Sequence, residues 1–274
     1  MRRANFLTVV LVLCGLSGCS TNPATGRNQL ILVSSAQIAA MGEAAEPEMT
    51  QQYGGEVDSL QLRGYVDRVG QRLARHIEPA YANIQWRFTV LDSDVINAFA
   101  LPGGRVFISR GLLQQFGNEA QVAGVLGHEI GHVTGRHVDE RLSQVIVANL
   151  GLGVAVQSTD SDLALLAARL VSAGTLLKFN RDQEGEADEQ GLKYMARSGY
   201  DPHAMLEVLE ILAEAGRGPR QPEFLSTHPH PESRMQNVAR LLEGRYRSTQ
   251  DNPEFRKYSS RFQQEAAPYL PSSP

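Results

Sequence analysis

The 274-residue sequence predicts an α+β protein that is mostly helical and carries a small, mainly antiparallel sheet. Apolar residues recur every three or four positions along several long segments, which is typical of amphipathic helices. One shorter segment alternates apolar and polar residues, and a Pro-Gly-Gly turn separates two further apolar runs, which indicates a hairpin. With 42% hydrophobic residues and a formal net charge of -4, the chain suits one or two globular domains and no nucleic-acid partner is expected.

The first 18 residues predict a lipoprotein signal peptide, with a basic start and an apolar core too short for a typical membrane span. The following Leu16-Ser17-Gly18-Cys19 resembles a bacterial lipobox, in which cleavage leaves a lipid on Cys19. An ordinary signal peptide with a chance cysteine is the alternative. By resemblance to other bacterial lipoproteins, Ser20 after a lipidated Cys19 implies a periplasmic protein that its lipid holds at the outer membrane. Cys14 would be removed with the signal peptide and the Cys19 thiol would carry the lipid, so the mature chain would have no free thiol. Any metal ligands must then be histidines and carboxylates.

The remaining chain is expected to consist of a lipidated N-terminus and tether (19–50), a main domain (51–246) and a loose polar tail (247–274). Apolar periodicity predicts helices at 36–52, 60–76, 119–137, 182–197, 204–215 and 231–242. Alternation predicts a half-buried strand at 84–90, and the hairpin joins 95–101 to 105–109. Two apolar runs within 145–177, separated by a polar break, predict a helical hairpin or a lid.

The motif His128-Glu129-Ile130-Gly131-His132 lies within the predicted helix 119–137. Histidines four residues apart project from one helical face, so both can bind one Zn²⁺, and Glu129 can act as general base toward water. Five-residue patterns also arise by chance, in which case the two histidines simply lie on the helix surface.

Glycines form a second feature of this helix. Four glycines line up on the flank beside the histidines: Gly124, Gly127, Gly131 and Gly135. The apolar stripe of the helix lies on the side opposite the histidines. Glycine inside a helix costs roughly 1 kcal/mol relative to alanine. We therefore expect a second helix, carrying the rest of the metal site, to lie against this flank; a merely weak, glycine-rich helix is the alternative.

A catalytic zinc site needs a third protein ligand and an open position. Glu184 is the best candidate, because it shares a helical face with Asp188 and with small residues that suit a close approach. Asp188 is predicted to support catalysis by accepting a hydrogen bond from the far nitrogen of a ligand histidine. A solvated acidic face is the alternative. His137 follows one residue too early for the metzincin spacing and would point away from His128, so we interpret it as a polar or capping residue.

Together these motifs resemble the gluzincin family of zinc metalloproteases that includes HtpX, BepA and LoiP. The family pattern is His-Glu-x-x-His followed by Glu-x-x-Ala-Asp, and the resemblance runs from about residue 22 to 242. It implies one Zn²⁺ per chain, with His128, His132 and Glu184 as ligands and Glu129 as the catalytic base. Within that family the chain resembles a lipoprotein peptidase of the LoiP type.

Two further matches extend the resemblance, one beginning at Asn97 and one ending at Pro231. The first implies that Asn97, Ala98 and Phe99 lie on a strand along which an extended substrate binds. The second implies that His228 lies on a loop near the metal, as a switchable ligand or a transition-state group. By sequence alone, a histidine in this proline-rich loop indicates a structural turn more readily than a metal-site residue.

The function expected from these observations is that of a zinc metalloendopeptidase. Its partners would be polypeptide substrates of the cell envelope, misfolded ones among them, and the membrane through the lipid on Cys19. The competing interpretation is a lipid-anchored, chaperone-like binding module with a latent or structural zinc site.

Overall fold

The computed structural model describes residues 19–151, 177–218 and 221–270. The predicted signal peptide and residues 152–176 of the predicted hairpin or lid lie outside these ranges. The strands are β1 (Cys19–Thr21), β2 (Asn28–Leu30), β3 (Arg87–Leu91), β4 (Ala98–Leu101) and β5 (Arg105–Ser109). The helices are α1 (Ser35–Gln52), α2 (Leu60–Ala74), α3 (Arg110–Leu113), α4 (Glu119–Thr134), α5 (His137–Gly151), α6 (Arg181–Arg197), α7 (His203–Ala215), α8 (Phe224–Thr227), α9 (Pro231–Glu243) and α10 (Ser259–Glu265). The mostly helical α+β class is confirmed, and none of these helices combines the length and apolarity needed to cross a bilayer.

Strands β3, β4 and β5 form a mixed sheet in the order β3-β5-β4. The predicted hairpin is confirmed: β4 runs antiparallel to β5, with Ala98 opposite Ile108. Strand β3 pairs in parallel with the other side of β5, a pairing that the sequence pattern did not reveal. Because β5 is central, β4 lies at one edge of this sheet.

The strand predicted at 84–90 is shifted to Arg87–Leu91 and is buried on both faces instead of one. Phe88 and Val90 face the main core, which α2, α4, α6, α7 and α9 complete. Leu91 belongs to a second, smaller core, which it shares with Phe99 and Phe107 of the neighbouring strands. Helix α1 covers the face of the sheet that carries this second core. An alternation pattern describes a strand locally, so it could not predict that a distant helix buries the second face.

Helix α4 runs through the centre of the molecule and packs closely against α6. Its N-terminus is capped by the side chain of Asn118, which accepts a hydrogen bond from the backbone of Gln121. A Cβ atom on Gly131 would lie 2.6 Å from the carbonyl oxygen of Ala187, and one on Gly127 would lie 3.3 Å from that of Gly191. Gly127 and Gly131 of the glycine flank therefore face α6, as expected from the cost of glycine in a helix, whereas Gly124 faces mainly α7.

Helix α4 ends at Thr134, three residues before the predicted end. Arg136 adopts a left-handed backbone conformation with φ of 55°, and α5 begins at His137. A β1–β2 hairpin covers this turn. Its Asn22 side chain donates to the Thr134 carbonyl at 2.9 Å, and its Gln29 side chain donates to the Gly135 carbonyl at 2.7 Å. These bonds satisfy carbonyls that a helix end otherwise leaves without partners.

Residues 247–270 do not form the loose tail that their polarity suggested. They include α10, whose Phe262 is only 2% exposed and packs edge-on against Tyr65 of α2, with ring centroids 6.3 Å apart. Ala266 is buried beside it. Phe262 and Ala266 are the buried hydrophobic side chains of this segment, too few to distinguish its composition from that of a surface tail. Backbone hydrogen bonds also hold it, such as the one from the Ala120 N–H to the Lys257 carbonyl.

Candidate metal centre

Helices α4 and α6 bring the three predicted ligands together. The Nε2 atoms of His128 and His132 lie 3.0 Å apart, because four residues make about one helical turn. Glu184, in the first turn of α6, places its carboxylate oxygens 3.6 Å from Nε2 of His128 and 3.5 Å from Nε2 of His132. All three side chains are buried.

His228 completes this cluster from the end of α8. Its Nδ1 lies 3.0 Å from Glu184 and 3.2 Å from Nε2 of His128. One potential ligand atom from each of His128, His132, Glu184 and His228 falls within 4.8 Å of the others. The resemblance implied that His228 lies on a loop near the metal; the structure places it directly after α8, against Glu184 and His128.

Glu129 lies beside the cluster and is fully buried. Neither of its carboxylate oxygens has a hydrogen-bond partner among the described residues, and the nearest basic atom is Nε2 of His228 at 3.6 Å. A buried carboxylate without partners is costly. The arrangement therefore fits a metal cation with a bound water that would lie beside Glu129. The donor set of two imidazoles and a carboxylate suits Zn²⁺.

The surroundings set the protonation of each group. Burial raises the pKa of Glu129 above its usual value, although His228 and His128 act against it. Burial also acts to raise the pKa of Glu184, but His228 and Arg234 outweigh it and hold that pKa well below the usual range. Burial lowers the pKa of His132 far enough to keep its imidazole neutral. An ionised carboxylate and a neutral imidazole are the forms that bind a metal.

Asp188 lies against the ring of His128, the contact that the prediction requires. Its Oδ1 lies 2.9 Å from Nδ1 of His128, so the Nε2 atom of that ring is free to face the cluster. Arg234, buried in α9, contacts Asp188 at 2.6 Å and Glu184 at 2.9 Å. The sequence analysis did not identify Arg234. The available signal was its phase, since it shares the buried face of α9 with Val238 and Leu242.

His137 is the second residue whose place the sequence analysis missed. It is fully buried, and its Nδ1 lies 2.8 Å from Nδ1 of His132. The prediction that it points away from the site is wrong, because it assumed a helix continuing through Arg136. The left-handed residue there turns the chain and returns the His137 ring to the histidine pair.

The predicted substrate strand lies at the sheet edge next to α4, not in the cluster itself. Asn97 precedes β4 and donates from its side chain to the Tyr53 hydroxyl at 3.1 Å. Ala98 and Phe99 are buried, and the Phe99 ring stacks on Phe107. A cavity of about 550 Å³ is lined by residues 100–103 at the end of this strand and by His132. His132 is the one residue of the cluster that lines this cavity.

Comparison with known families agrees with this geometry. The profile of peptidase family M48 matches residues 60–242, two thirds of the chain and the whole of the cluster. The chain belongs to peptidase family M48. The β1–β2 hairpin, including Arg27 and the proposed lipid site Cys19, lies before the matched region of this M48 protein.

Several named proteins are similar to this M48 protein. The "Beta-barrel assembly-enhancing protease" of Escherichia coli (strain K12) is 37% identical over 204 residues, covering 70% of this chain and 40% of that protein. The protein of the same name from Yersinia pestis is 33% identical over 226 residues, covering 79% and 46%. "Metalloendopeptidase OMA1, mitochondrial" of Homo sapiens is 30% identical over 240 residues, covering 81% and 45%. The chain thus spans less than half the length of these relatives.

Proposed function

We propose that this M48 protein is a zinc-dependent metalloendopeptidase. The observation that carries the proposal is the buried carboxylate of Glu129, whose oxygens have no hydrogen-bond partner among the described residues, beside three side chains suited to hold Zn²⁺. A purely structural zinc site uses four protein ligands and has no use for an additional base.

In this proposal His128, His132 and Glu184 hold one Zn²⁺, which supplies Lewis acidity toward a water molecule and toward the scissile carbonyl oxygen. Glu129 takes a proton from the attacking water and passes it to the leaving amine. Burial keeps the Glu129 carboxylate more basic than an exposed one, which suits a group that accepts and then releases a proton near neutral pH. Asp188 acts as a positioning residue by orienting His128.

The substrate is proposed to lie extended along β4, with Asn97, Ala98 and Phe99 beside its backbone. The 550 Å³ cavity between the end of β4 and His132 would receive part of it. His228 occupies the space between Glu129 and Glu184, so we propose that it gates the site and moves when substrate enters.

The cellular setting is proposed from the sequence. A signal peptide at 1–18 and a lipid on Cys19 would place the domain 51–246 in the periplasm, attached to the outer membrane. The Escherichia coli relative is named for enhancing β-barrel assembly. We propose envelope polypeptides, misfolded ones among them, as the substrate class of this chain; the relative's name supports a link to β-barrel assembly alone.

The test is a comparison of zinc content and casein cleavage in matched variants. Glu129→Gln should retain zinc and lose cleavage, whereas Glu184→Gln should lose both. Glu189→Gln is the control, because Glu189 lies on the same helix as Glu184 but pairs with exposed Arg245. Parental cleavage by Glu129→Gln would refute the proposed base.

A chaperone-like binding module with a latent zinc site is the second candidate. The buried position of His228, which gives the cluster four potential ligands, is the observation that favours it. Chelator-insensitive holding of unfolded casein, without cleavage by the parent protein or by His228→Ala, would select this function over the peptidase.

A further inference from the structure

The far side of His132 leads into a chain of polar contacts that reaches the N-terminal hairpin. His132 Nδ1 lies 2.8 Å from His137 Nδ1, and His137 Nε2 lies 3.0 Å from an oxygen of Glu186. The other oxygen of Glu186 forms an ion pair with Arg27, whose Nε lies 2.7 Å away. Arg27 also makes two bonds to Glu140 of α5, at 2.8 and 2.7 Å.

The donor and acceptor roles in this series of contacts follow from the Glu186 carboxylate. An ionised carboxylate only accepts, so the Glu186 contact requires a proton on Nε2 of His137. In the tautomer with that single ring proton, His137 Nδ1 is an acceptor, and the proton of the His132 ring then sits on Nδ1. His132 Nε2, which faces the cluster, is left with a free lone pair. This is the tautomer that a metal ligand requires.

We propose that His137, Glu186 and Arg27 form a positioning relay that fixes the tautomer and the ring orientation of His132 as a zinc ligand. The inference rests on the proposed function, because it concerns the same metal centre. It adds a contribution from outside the region that the family profile covers, since Arg27 lies in the β1–β2 hairpin.

The backbone around His137 is built to hold the ring in place. The left-handed conformation of Arg136 turns His137 toward His132, and a Cβ atom on Gly135 would lie 2.5 Å from His137 Nε2. The ring therefore needs the space that a glycine leaves. Asn22 and Gln29 of the hairpin bind the carbonyls of this same turn, so the hairpin supports the relay at two points.

The two zinc-ligand histidines thus have equivalent support reached by different routes. His128 contacts the carboxylate of Asp188 directly, and that carboxylate is paired with Arg234. His132 reaches the carboxylate of Glu186 through the His137 ring, and that carboxylate is paired with Arg27. Both carboxylates lie on α6, two residues apart, and each is balanced by an arginine from another segment.

The relay is tested by measuring zinc affinity in full-length variants through competition with a chromophoric chelator. His137→Leu removes the acceptor but keeps a buried side chain, and we expect zinc binding to weaken about 10- to 100-fold. His137→Asn keeps an acceptor oxygen near the position of Nδ1, and we expect it to recover part of that loss. The melting temperature of the zinc-free protein checks that each variant folds.

A second pair of variants keeps the test decisive if His137→Leu does not fold. Glu186→Gln and Glu189→Gln remove the same charge from the same helix, but only Glu186 belongs to the relay. We expect weaker zinc binding for Glu186→Gln and parental binding for Glu189→Gln.

The outcomes separate the relay from the zinc site. Equal zinc affinity of parent and His137→Leu would overturn the relay while leaving the zinc site intact. Equal losses in His137→Leu and His137→Asn, at an unchanged melting temperature of the zinc-free protein, would overturn it too, as would equal affinities of the Glu186 and Glu189 variants. A parent that binds no zinc would overturn the proposed function and the relay with it.

Discussion

The contact between α4 and α6 can be tested by adding one methyl group at Gly131. A Cβ atom there would lie 2.6 Å from the Ala187 carbonyl oxygen and 3.0 Å from its Cα, where ordinary contacts begin near 3.4 Å. Both neighbours are helix backbone, so the helices themselves must separate by roughly 0.8 Å, the difference between 3.4 and 2.6 Å. That separation would move Glu184 away from His128 and His132.

The size of the effect follows from a matched control, Gly185→Ala. Nothing lies within 4 Å of a Cβ atom at Gly185, so that variant gains only the helix propensity of alanine, about 1 kcal/mol. Gly131→Ala gains the same propensity and also pays for overpacking, typically 1–3 kcal/mol. The two variants should therefore differ by about 1–3 kcal/mol in free energy of unfolding, and Gly131→Ala alone should bind zinc more weakly.

The assay is urea unfolding of the zinc-free proteins, followed by zinc titration of each. Equal unfolding free energies for Gly131→Ala and Gly185→Ala would refute the close approach of the two helices. A stability loss without any change in zinc affinity would refute the link between helix separation and ligand geometry.

Three further predictions concern groups outside the histidine pair. Arg234→Met should lower the free energy of unfolding by about 3–5 kcal/mol, because it leaves Glu184 and its neighbouring carboxylate buried without a cation; urea unfolding measures this. Burial acts to raise the pKa of Glu78, but Lys193 and a tyrosine hydroxyl lower it below the usual 4.5. Its contribution to stability is thus present above about pH 4.5 and lost as the pH falls through the lowered value, so Glu78→Gln should show less acid destabilisation than the parent in denaturation curves at pH 7 and pH 3. Phe262→Ala should cost about 3–5 kcal/mol by urea unfolding, whereas a loose tail would give no change.

The parts of the site that could be predicted are those that one helix can encode. Spacing alone places His128 and His132 on one face, and the glycine flank shows that another backbone approaches there. A carboxylate in phase with small residues on a second helix then identified Glu184 as the partner. Periodicity indicates which face of a helix is buried, so it could show which side chains of these two helices face one another.

The parts that could not be predicted depend on contacts between distant segments or on a single backbone angle. The parallel pairing of β3 with β5 and the docking of α10 leave no local pattern. The φ of 55° at Arg136 redirects His137, yet arginine carries no signal for a left-handed residue. Hydrogen bonds from Asn22 to Thr134 join positions 112 residues apart, and a helical wheel contains no information about them.

The charge balance of the cluster gives a physical reason why a divalent cation suits it. Glu129, Glu184 and Asp188 are buried together, and Arg234 contacts the last two. Burial acts to lower the pKa of His228, but Glu184 and Glu129 outweigh it and raise that pKa, so the carboxylates also favour a protonated His228 ring. Buried carboxylates are costly without a cation, and a divalent ion would supply positive charge that this proton otherwise supplies. Because these groups come from α4, α6, α9 and the end of α8, binding of that ion and packing of these helices would stabilise one another.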